Sequence, residues 1–138
     1  MVHSEIVTFH TRGDGDMIDL TAKVGATVHA SGIREGLVAV CAIGSTAGVS
    51  TIEFEPGLKR DWPELMQRLI PAGTPQHHDQ TWGDGNGYAH LRSTLVGTTF
   101  TTAIADGLPV LGTWQQIVFL EFDNRPRDRQ VHIQVIGD

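Results

Sequence analysis

The C-terminal third of the chain limits the possible folds most, because it holds two strand-length segments separated only by a turn. Thr113 to Phe122 is rich in apolar and β-branched residues, and Gln130 to Ile136 alternates apolar with polar side chains. The intervening Asp123-Asn124-Arg125-Pro126 is typical of a turn. Consecutive strands joined by a short turn pair in the antiparallel sense, so an all-parallel sheet is excluded.

Apolar patterns elsewhere predict further strands and helices. Leu37–Ile43 is a continuous apolar run of strand length, which predicts a central strand buried on both faces. Asp106-Gly107 is a hairpin signal between two strand-like segments. Other strands are predicted over residues 2–10, 17–20 and 45–54, and helices over residues 22–31 and 62–70. The pattern of residues 89–96 fits either a short helix or a strand, and a helix is favoured. Strands mixed with two or three helices, and ending in antiparallel strands, indicate an α+β protein.

The helix predicted to begin near Trp62, with Asp61 as its N-cap, has one apolar face. The apolar side chains at helical spacing are Leu65, Met66, Leu69 and Ile70. Because an apolar helix face is normally buried, we expect these four residues to belong to the core rather than to bind a ligand.

Length and charge narrow the functional classes. The 138 residues have the length of one domain, so residues 1–138 are expected to form a single unit. The formal net charge of −6 repels a nucleic-acid backbone, and the one dense basic cluster is Arg125, Arg127 and Arg129. Cys41 is the only cysteine, so no intrachain disulfide can form. The sequence has neither a signal-peptide pattern nor an apolar run of about 18 residues, and we expect a soluble, cytoplasmic protein without a nucleic-acid or membrane partner.

Residues 77–97 carry more reactive side chains than any other window of the sequence. The segment contains three histidines, two aspartates, an arginine and four glycines. Asp84-Gly85 and Asn86-Gly87 are consecutive turn signals, so a tightly folded loop is predicted before Tyr88. A loop of this length is typical of a functional site, and the alternative is a plain polar connection.

Two kinds of site are consistent with this segment. His77, His78, Asp79 and His90 are nitrogen and oxygen donors for a divalent ion, although their spacing matches no zinc signature, and the alternative is that they are ordinary exposed side chains. Arg92, Ser93 and Thr94 would form a phosphate-sized anion site if their helix faces a pocket, and Ser45 and Thr46 provide a second pair of hydroxyls. Motifs of serine hydrolases, P-loop nucleotidases and dinucleotide-binding proteins are absent.

Several segments resemble one known family over nearly the whole chain. They are S-T-A at 45–47, A-H-L-R-S-T-L-V-G-T-T at 89–99, L-G-T-W-Q-Q at 111–116 and E-F-D at 121–123. They are similar to the YjbQ-type family, described as secondary thiamine-phosphate synthases, and in particular to its branch with G-S-T-A and W-G-D-G-N-G. The resemblance implies a small, sandwich-like domain assembled as a homotrimer, with sites between subunits and a histidine-rich pocket for a divalent metal.

The resemblance also implies an activity and a set of site residues. The activity joins a pyrimidine-methyl diphosphate to a thiazole phosphate and releases pyrophosphate. The alternative is a trimeric metal- or phosphometabolite-binding protein without turnover. Catalytic candidates are His90, Arg92 and Asp79, substrate-binding candidates are Ser45, Thr46, Ser93, Trp114 and Gln115, and metal-ligand candidates are His78 and His90. Many members have a histidine where this chain has Gly44, and close relatives have another at Tyr88, so zinc or magnesium is expected to be held weakly.

Overall fold

The computed structural model describes residues 1–138 and contains eight strands and four helices. The strands are β1 (Val2–Thr11), β2 (Met17–Asp19), β3 (Gly36–Ala42), β4 (Ala47–Ile52), β5 (Thr99–Ala105), β6 (Leu108–Pro109), β7 (Gln116–Glu121) and β8 (Arg127–Gly137). The helices are α1 (Thr21–Ser31), α2 (Pro56–Leu69), α3 (His77–Trp82) and α4 (Gly87–Val96). All strand pairs are antiparallel, which confirms the α+β prediction, and α3 is a short additional helix within the predicted loop.

The strands form two sheets, and the chain changes sheet at the C-terminal turn. One sheet has the order β1-β8-β3-β5-β6 and the other β2-β7-β4. The prediction that β7 and β8 pair as a hairpin is therefore wrong. Each of these strands already has a partner on both sides, because β8 lies between β1 and β3 while β7 lies between β2 and β4. The predicted hairpin at Asp106-Gly107 does form, and it joins β5 to β6.

The core fills the space between the inner faces of the sheets and α1. Its fully buried side chains include Val24 and Val28 from α1 and Phe119 from β7. The rings of Phe9 and Phe119 meet edge-to-face, with centroids 5.0 Å apart. Burial of each Val, Ile or Phe side chain contributes about 1.5–3 kcal/mol. The contact between Phe9 of β1 and Phe119 of β7 therefore helps to hold the two sheets together.

The central strand β3 is buried on one face only, contrary to the prediction. Val38 and Val40 point into the core, whereas Leu37 is 50% exposed. On this side the five-stranded sheet carries no second layer within one chain. The surface, called the outer face below, is formed by Leu37, Ala39, Cys41, Ile43, Thr101, His132, Gln134 and Ile136.

Helix α2 begins six residues before the predicted start. Glu55 is its N-cap, with a carboxylate that accepts hydrogen bonds from two backbone N–H groups of the first turn, and Pro56 occupies a position where a missing N–H costs nothing. Of the four side chains predicted to be core, only Met66 is buried, and Leu65 and Leu69 are exposed. No helix in the chain is long and apolar enough to cross a membrane.

Candidate functional site

Asp79 closes the loop between α3 and α4. One carboxylate oxygen accepts a hydrogen bond from the Gln76 N–H and the other from the Gly87 N–H, both at 2.9 Å. These two bonds lower the pKa of Asp79 below its usual range, so the charged form is the one that holds the loop. Position 87 requires glycine, since a Cβ there would lie 2.6 Å from the Gln76 Cβ. Both carboxylate oxygens of Asp79 thus accept hydrogen bonds from backbone N–H groups.

The loop brings His78 and His90 together. Their ring centroids are 4.4 Å apart and the rings are tilted by 55°. The Nε2 of His78 lies 3.1 Å from the Asn86 Oδ1 and 3.7 Å from the Asp84 carboxylate. No group of three or more His, Cys, Asp or Glu side chains in the chain is placed to hold a metal ion. One chain thus supplies two imidazoles, which is fewer than the three protein ligands typical of a catalytic zinc site, and the donor set for a resident metal is incomplete.

His90 also lines a polar cleft with a volume of about 350 Å³. No hydrophobic residue contributes to it, and its lining consists of Gly44, Ser45, His90, Ser93, Thr94, Gly97 and Thr98. The Ser93 hydroxyl is committed to the Ala47 carbonyl at 2.6 Å, and that of Thr94 to the His90 carbonyl at 3.0 Å. The hydroxyls of Ser45 and Thr98 bond to no other protein group, so Ser45, Thr98 and His90 are the lining residues whose side chains are available to a ligand.

Arg92 lies away from this cleft, which corrects the expectation that it binds an anion there. Its side chain is 2% exposed and stacks over the Tyr88 ring at 4.8 Å. The guanidinium donates to the Ile70 carbonyl at 3.0 Å, to both Asp14 carboxylate oxygens at 3.0 and 3.2 Å, and to Gln67 at 3.3 Å. Burial raises the pKa of Asp14 and the Arg92 charge opposes that rise. Arg92 ties α4 to the segment before β2 and to the end of α2.

Thr46 is buried in a polar network that was not predicted from the sequence. Its hydroxyl donates to the Asp123 carboxylate at 3.1 Å and accepts from Arg129 Nη2 at 2.8 Å. Arg129 in turn bonds to Glu121 through Nε at 2.8 Å and through Nη2. The only feature of the sequence that pointed to this network was the mixture of acidic and basic residues around the turn at residues 123–126.

Asp123 connects this network to the histidine pair. The Asn86 amide donates to Asp123 at 3.4 Å, and the Oδ1 of the same amide faces His78. Burial raises the pKa of Asp123, but hydrogen bonds from the Asn124 N–H and the Asn86 amide, together with the Arg127 charge, outweigh it and hold the pKa below its usual range. Asp123 is therefore ionised, and its carboxylate links Thr46 to Asn86, which faces the histidine pair.

Trp114 and Gln115 lie at the far end of the smaller sheet from the cleft. The Gln115 amide donates to the Thr51 hydroxyl at 3.2 Å, near the end of β4, while Ser45 precedes the start of that strand. Six residues of strand span roughly 15–20 Å, so the two groups do not meet within one chain. Trp114 is 73% exposed, which excludes a core position within one chain.

Comparison with known proteins is consistent with this geometry. The chain is 38% identical over 130 residues to a UPF0047 protein of Archaeoglobus fulgidus, covering 94% of this chain and 98% of that protein. It is 36% identical over 124 residues to a UPF0047 protein of Methanocaldococcus jannaschii, covering 89% and 86%. A crystal structure of a hypothetical protein from Aeropyrum pernix matches with a TM-score of 0.86 and 32% identity, covering 97% and 99% of the two chains.

A second solved structure, a YbjQ-like protein of unknown function from Sulfolobus solfataricus, matches with a TM-score of 0.89 and 25% identity over the full length of both chains. A family model described as "UPF0047 protein YjbQ-like" matches residues 5–138. Membership of the YjbQ-type family, expected from the sequence motifs, is thereby confirmed. This chain belongs to the YjbQ-like UPF0047 protein family.

Proposed function

We propose that this chain is a low-activity, thiamine-phosphate synthase-like transferase that joins a pyrimidine-methyl diphosphate to a thiazole phosphate. In this reaction the carbon–oxygen bond to the diphosphate breaks, the thiazole nitrogen bonds to the freed methylene carbon, and pyrophosphate departs. The observation that carries the proposal is the cleft at His90, which is lined only by glycine and polar residues. Charge that develops on the leaving group needs preorganised hydrogen-bond donors, and such a lining provides them.

Each residue near the cleft has a separate part in this proposal. His90 donates a hydrogen bond to the departing diphosphate, and the Ser45 hydroxyl holds a phosphate oxygen. Asp79 keeps His90 in place by closing the loop before α4. A divalent ion, zinc or magnesium, is proposed to be held weakly by His78 and His90, and it would add positive charge near the phosphates. Because the donor set is incomplete in one chain, we assign no reaction step to that ion.

Homotrimer formation is part of the same proposal. On the outer face, Leu37, Ile43 and Ile136 are each about half exposed. Strand β8 contributes His132, Gln134 and Ile136 to this face. Burying this apolar surface against another copy removes it from water. Association also provides a route by which Trp114 and Gln115 reach the cleft of a neighbouring subunit, since they cannot reach their own.

Replacing Ile136 with Asp is expected to dissociate the assembly, because the substitution places a charge on the outer face, which the proposed association would bury. Light scattering at micromolar protein should give a trimer for the native chain and a monomer for Ile136→Asp. The matched control is Leu69→Asp, an equally exposed leucine on α2, which should remain trimeric. A native chain that is monomeric at this concentration would contradict the proposal.

The activity is tested by incubating the purified chain with both substrates and measuring thiamine monophosphate by fluorescence after oxidation. We expect slow formation of the product, and a loss of about 100-fold in His90→Ala, which is the scale of one positioned proton donor. His29→Ala, at the end of α1, serves as the control. The reactions are run with chelator, with zinc and with magnesium. An absence of product under all three conditions would reject the enzymatic proposal.

The alternative is a trimeric metal- or phosphometabolite-binding protein without turnover. One observation favours it: the lining of the cleft contains no arginine or lysine that could stabilise the charge of a departing diphosphate. Binding of phosphate by a chain that forms no product would select this alternative.

A further inference from the structure

We propose that Arg129 and the backbone of residues 44–46 form a phosphate-sized anion site beside the His90 cleft. This rests on the proposed function and deepens it, because it names the groups that hold one phosphate of the substrate. It also transfers to Arg129 the anion-binding role that the sequence had suggested for Arg92.

Arg129 is held rigidly by two of its three nitrogens. Nε donates to Glu121 at 2.8 Å, and Nη2 donates to the Thr46 hydroxyl at 2.8 Å and to Glu121. The side chain is 6% exposed, so the guanidinium has little freedom. Nη1 has no acceptor in the protein and is not sealed from solvent, since it is not among the buried atoms that lack a partner. One N–H₂ group of a fixed guanidinium is therefore free for a ligand.

The fold opens a passage to this nitrogen. β3 pairs with β8 as far as Ala42, and the Ile43 N–H still reaches the Gln130 carbonyl at 3.1 Å, after which the chain leaves the sheet. The next residue is Gly44, where a Cβ would lie 2.9 Å from Nη1. Any larger residue would press on the guanidinium, so glycine keeps this approach clear.

A cavity of about 510 Å³ adjoins the passage, which is ample for a phosphate or a diphosphate. Its lining is Thr8, Phe9, Ile43, Asp128, Arg129 and Gln130. Asp128 is the one acidic residue of the lining, and its side chain is highly exposed and pairs with His10 Nδ1 at 2.9 Å. Because that carboxylate lies in solvent, its repulsion of an anion is strongly screened.

The loop beside the guanidinium supplies further donors. The backbone N–H groups of Gly44, Ser45 and Thr46 make no hydrogen bond within the chain, while the Thr46 carbonyl accepts from Arg129 Nη2 at 3.4 Å. Successive free N–H groups are a recurring means of binding an anion. Glu121 already offsets the Arg129 charge, so the anion is recognised by directed hydrogen bonds rather than by excess positive charge. Its affinity should consequently fall less with salt than that of an exposed basic patch.

The test is calorimetric titration with inorganic phosphate and with pyrophosphate. Arg129→Lys keeps the charge beside Glu121 but removes Nη1, the nitrogen left free for a ligand, and we expect its phosphate affinity to fall at least about tenfold, the loss of one charge-assisted hydrogen bond. Arg34→Lys, at the opposite end of β3, is the control and should bind as the native chain does. Circular dichroism verifies that each variant is folded.

A second variant tests the passage without touching the arginine. Gly44→Ala places a methyl group against Nη1 and should weaken phosphate binding, whereas Gly25→Ala, where an added Cβ contacts nothing within 4 Å, should not. No saturable phosphate binding by the native chain, or unchanged affinity in both Arg129→Lys and Gly44→Ala, would overturn the inference. If the chain binds phosphate through Arg129 but forms no thiamine monophosphate, the anion site stands and only the proposed activity is rejected. Failure of the anion site and failure of the proposed activity are therefore distinguishable.

Discussion

Replacing Arg92 with Ala is expected to lower the free energy of unfolding by about 2–4 kcal/mol while leaving phosphate affinity unchanged. The guanidinium is buried and satisfies three acceptors on two separate segments, Asp14 before β2 and Gln67 and Ile70 at the end of α2. Its removal leaves the Asp14 carboxylate partly buried without its partner. The estimate lies near the lower end of values for buried ion pairs, because the Asp14 side chain retains 31% exposure and can recover some hydration.

Denaturant unfolding at a fixed protein concentration measures this effect, since association shifts the apparent stability. Arg12→Ala is the matched control: it also removes an arginine paired with an aspartate, but the Arg12 side chain is 87% exposed. The expected loss in the control is at most about 1 kcal/mol, as for other exposed arginines, because the Asp16 carboxylate, although 8% exposed, keeps its hydrogen bonds from the backbone N–H groups of residues 12 and 17. Weakened phosphate binding with unchanged stability in Arg92→Ala would return Arg92 to the role first predicted from the sequence.

Helical geometry explains why part of the site was predictable and Arg92 was not. Successive residues of a helix are rotated by about 100°, so residues three or four apart share a face and residues two apart point in nearly opposite directions. His90, Ser93 and Thr94 accordingly line one cleft. Arg92 follows His90 by two residues and points to the other side of α4. Once residues 89–96 are taken as a helix, proximity in sequence is a poor guide to proximity in space.

The fold likewise has features that depend on neighbouring residues, which could be predicted, and features that depend on residues far apart in sequence, which could not. The turn between β5 and β6 was predictable, because Asp106 and Gly107 both adopt positive φ, at 52° and 79°, as the tight hairpin requires. The separation of β7 from β8 was not, since the strands that pair with β8 are β1 and β3, which lie far from it in sequence. A short turn predicts that two strands run in opposite directions, but not that they share a sheet.

The outer face illustrates a third limit. The apolar run Leu37–Ile43 predicted burial on both faces, and one chain buries only one of them. Sequence patterns record the environment of the residue in the working protein, which includes other subunits when the protein associates. The exposed Leu37 and Ile43 are therefore consistent with a prediction of burial that a second copy would satisfy.

Replacing Glu121 with Ala is expected to cost more than any other substitution considered, about 3–5 kcal/mol of unfolding free energy. Glu121 is almost fully buried, and its carboxylate accepts from the Thr11 hydroxyl at 2.7 Å and from Arg129. Truncation leaves the guanidinium of Arg129 buried without its counter-charge and leaves the Thr11 hydroxyl without its acceptor. A buried charge that loses its partner accounts for most of the loss.

A set of variants separates the charge from the packing. Glu121→Gln keeps the size and one acceptor oxygen, so its loss should be smaller than that of Glu121→Ala. Glu121→Met combined with Arg129→Met removes both charges, and it should be less destabilising than Glu121→Ala alone, because no unpaired charge remains. The double variant should also lose the phosphate affinity assigned to Arg129. If the double variant is instead the least stable of the three, the Glu121–Arg129 pair contributes net stabilisation. The Glu121 carboxylate then does more than neutralise the charge of Arg129.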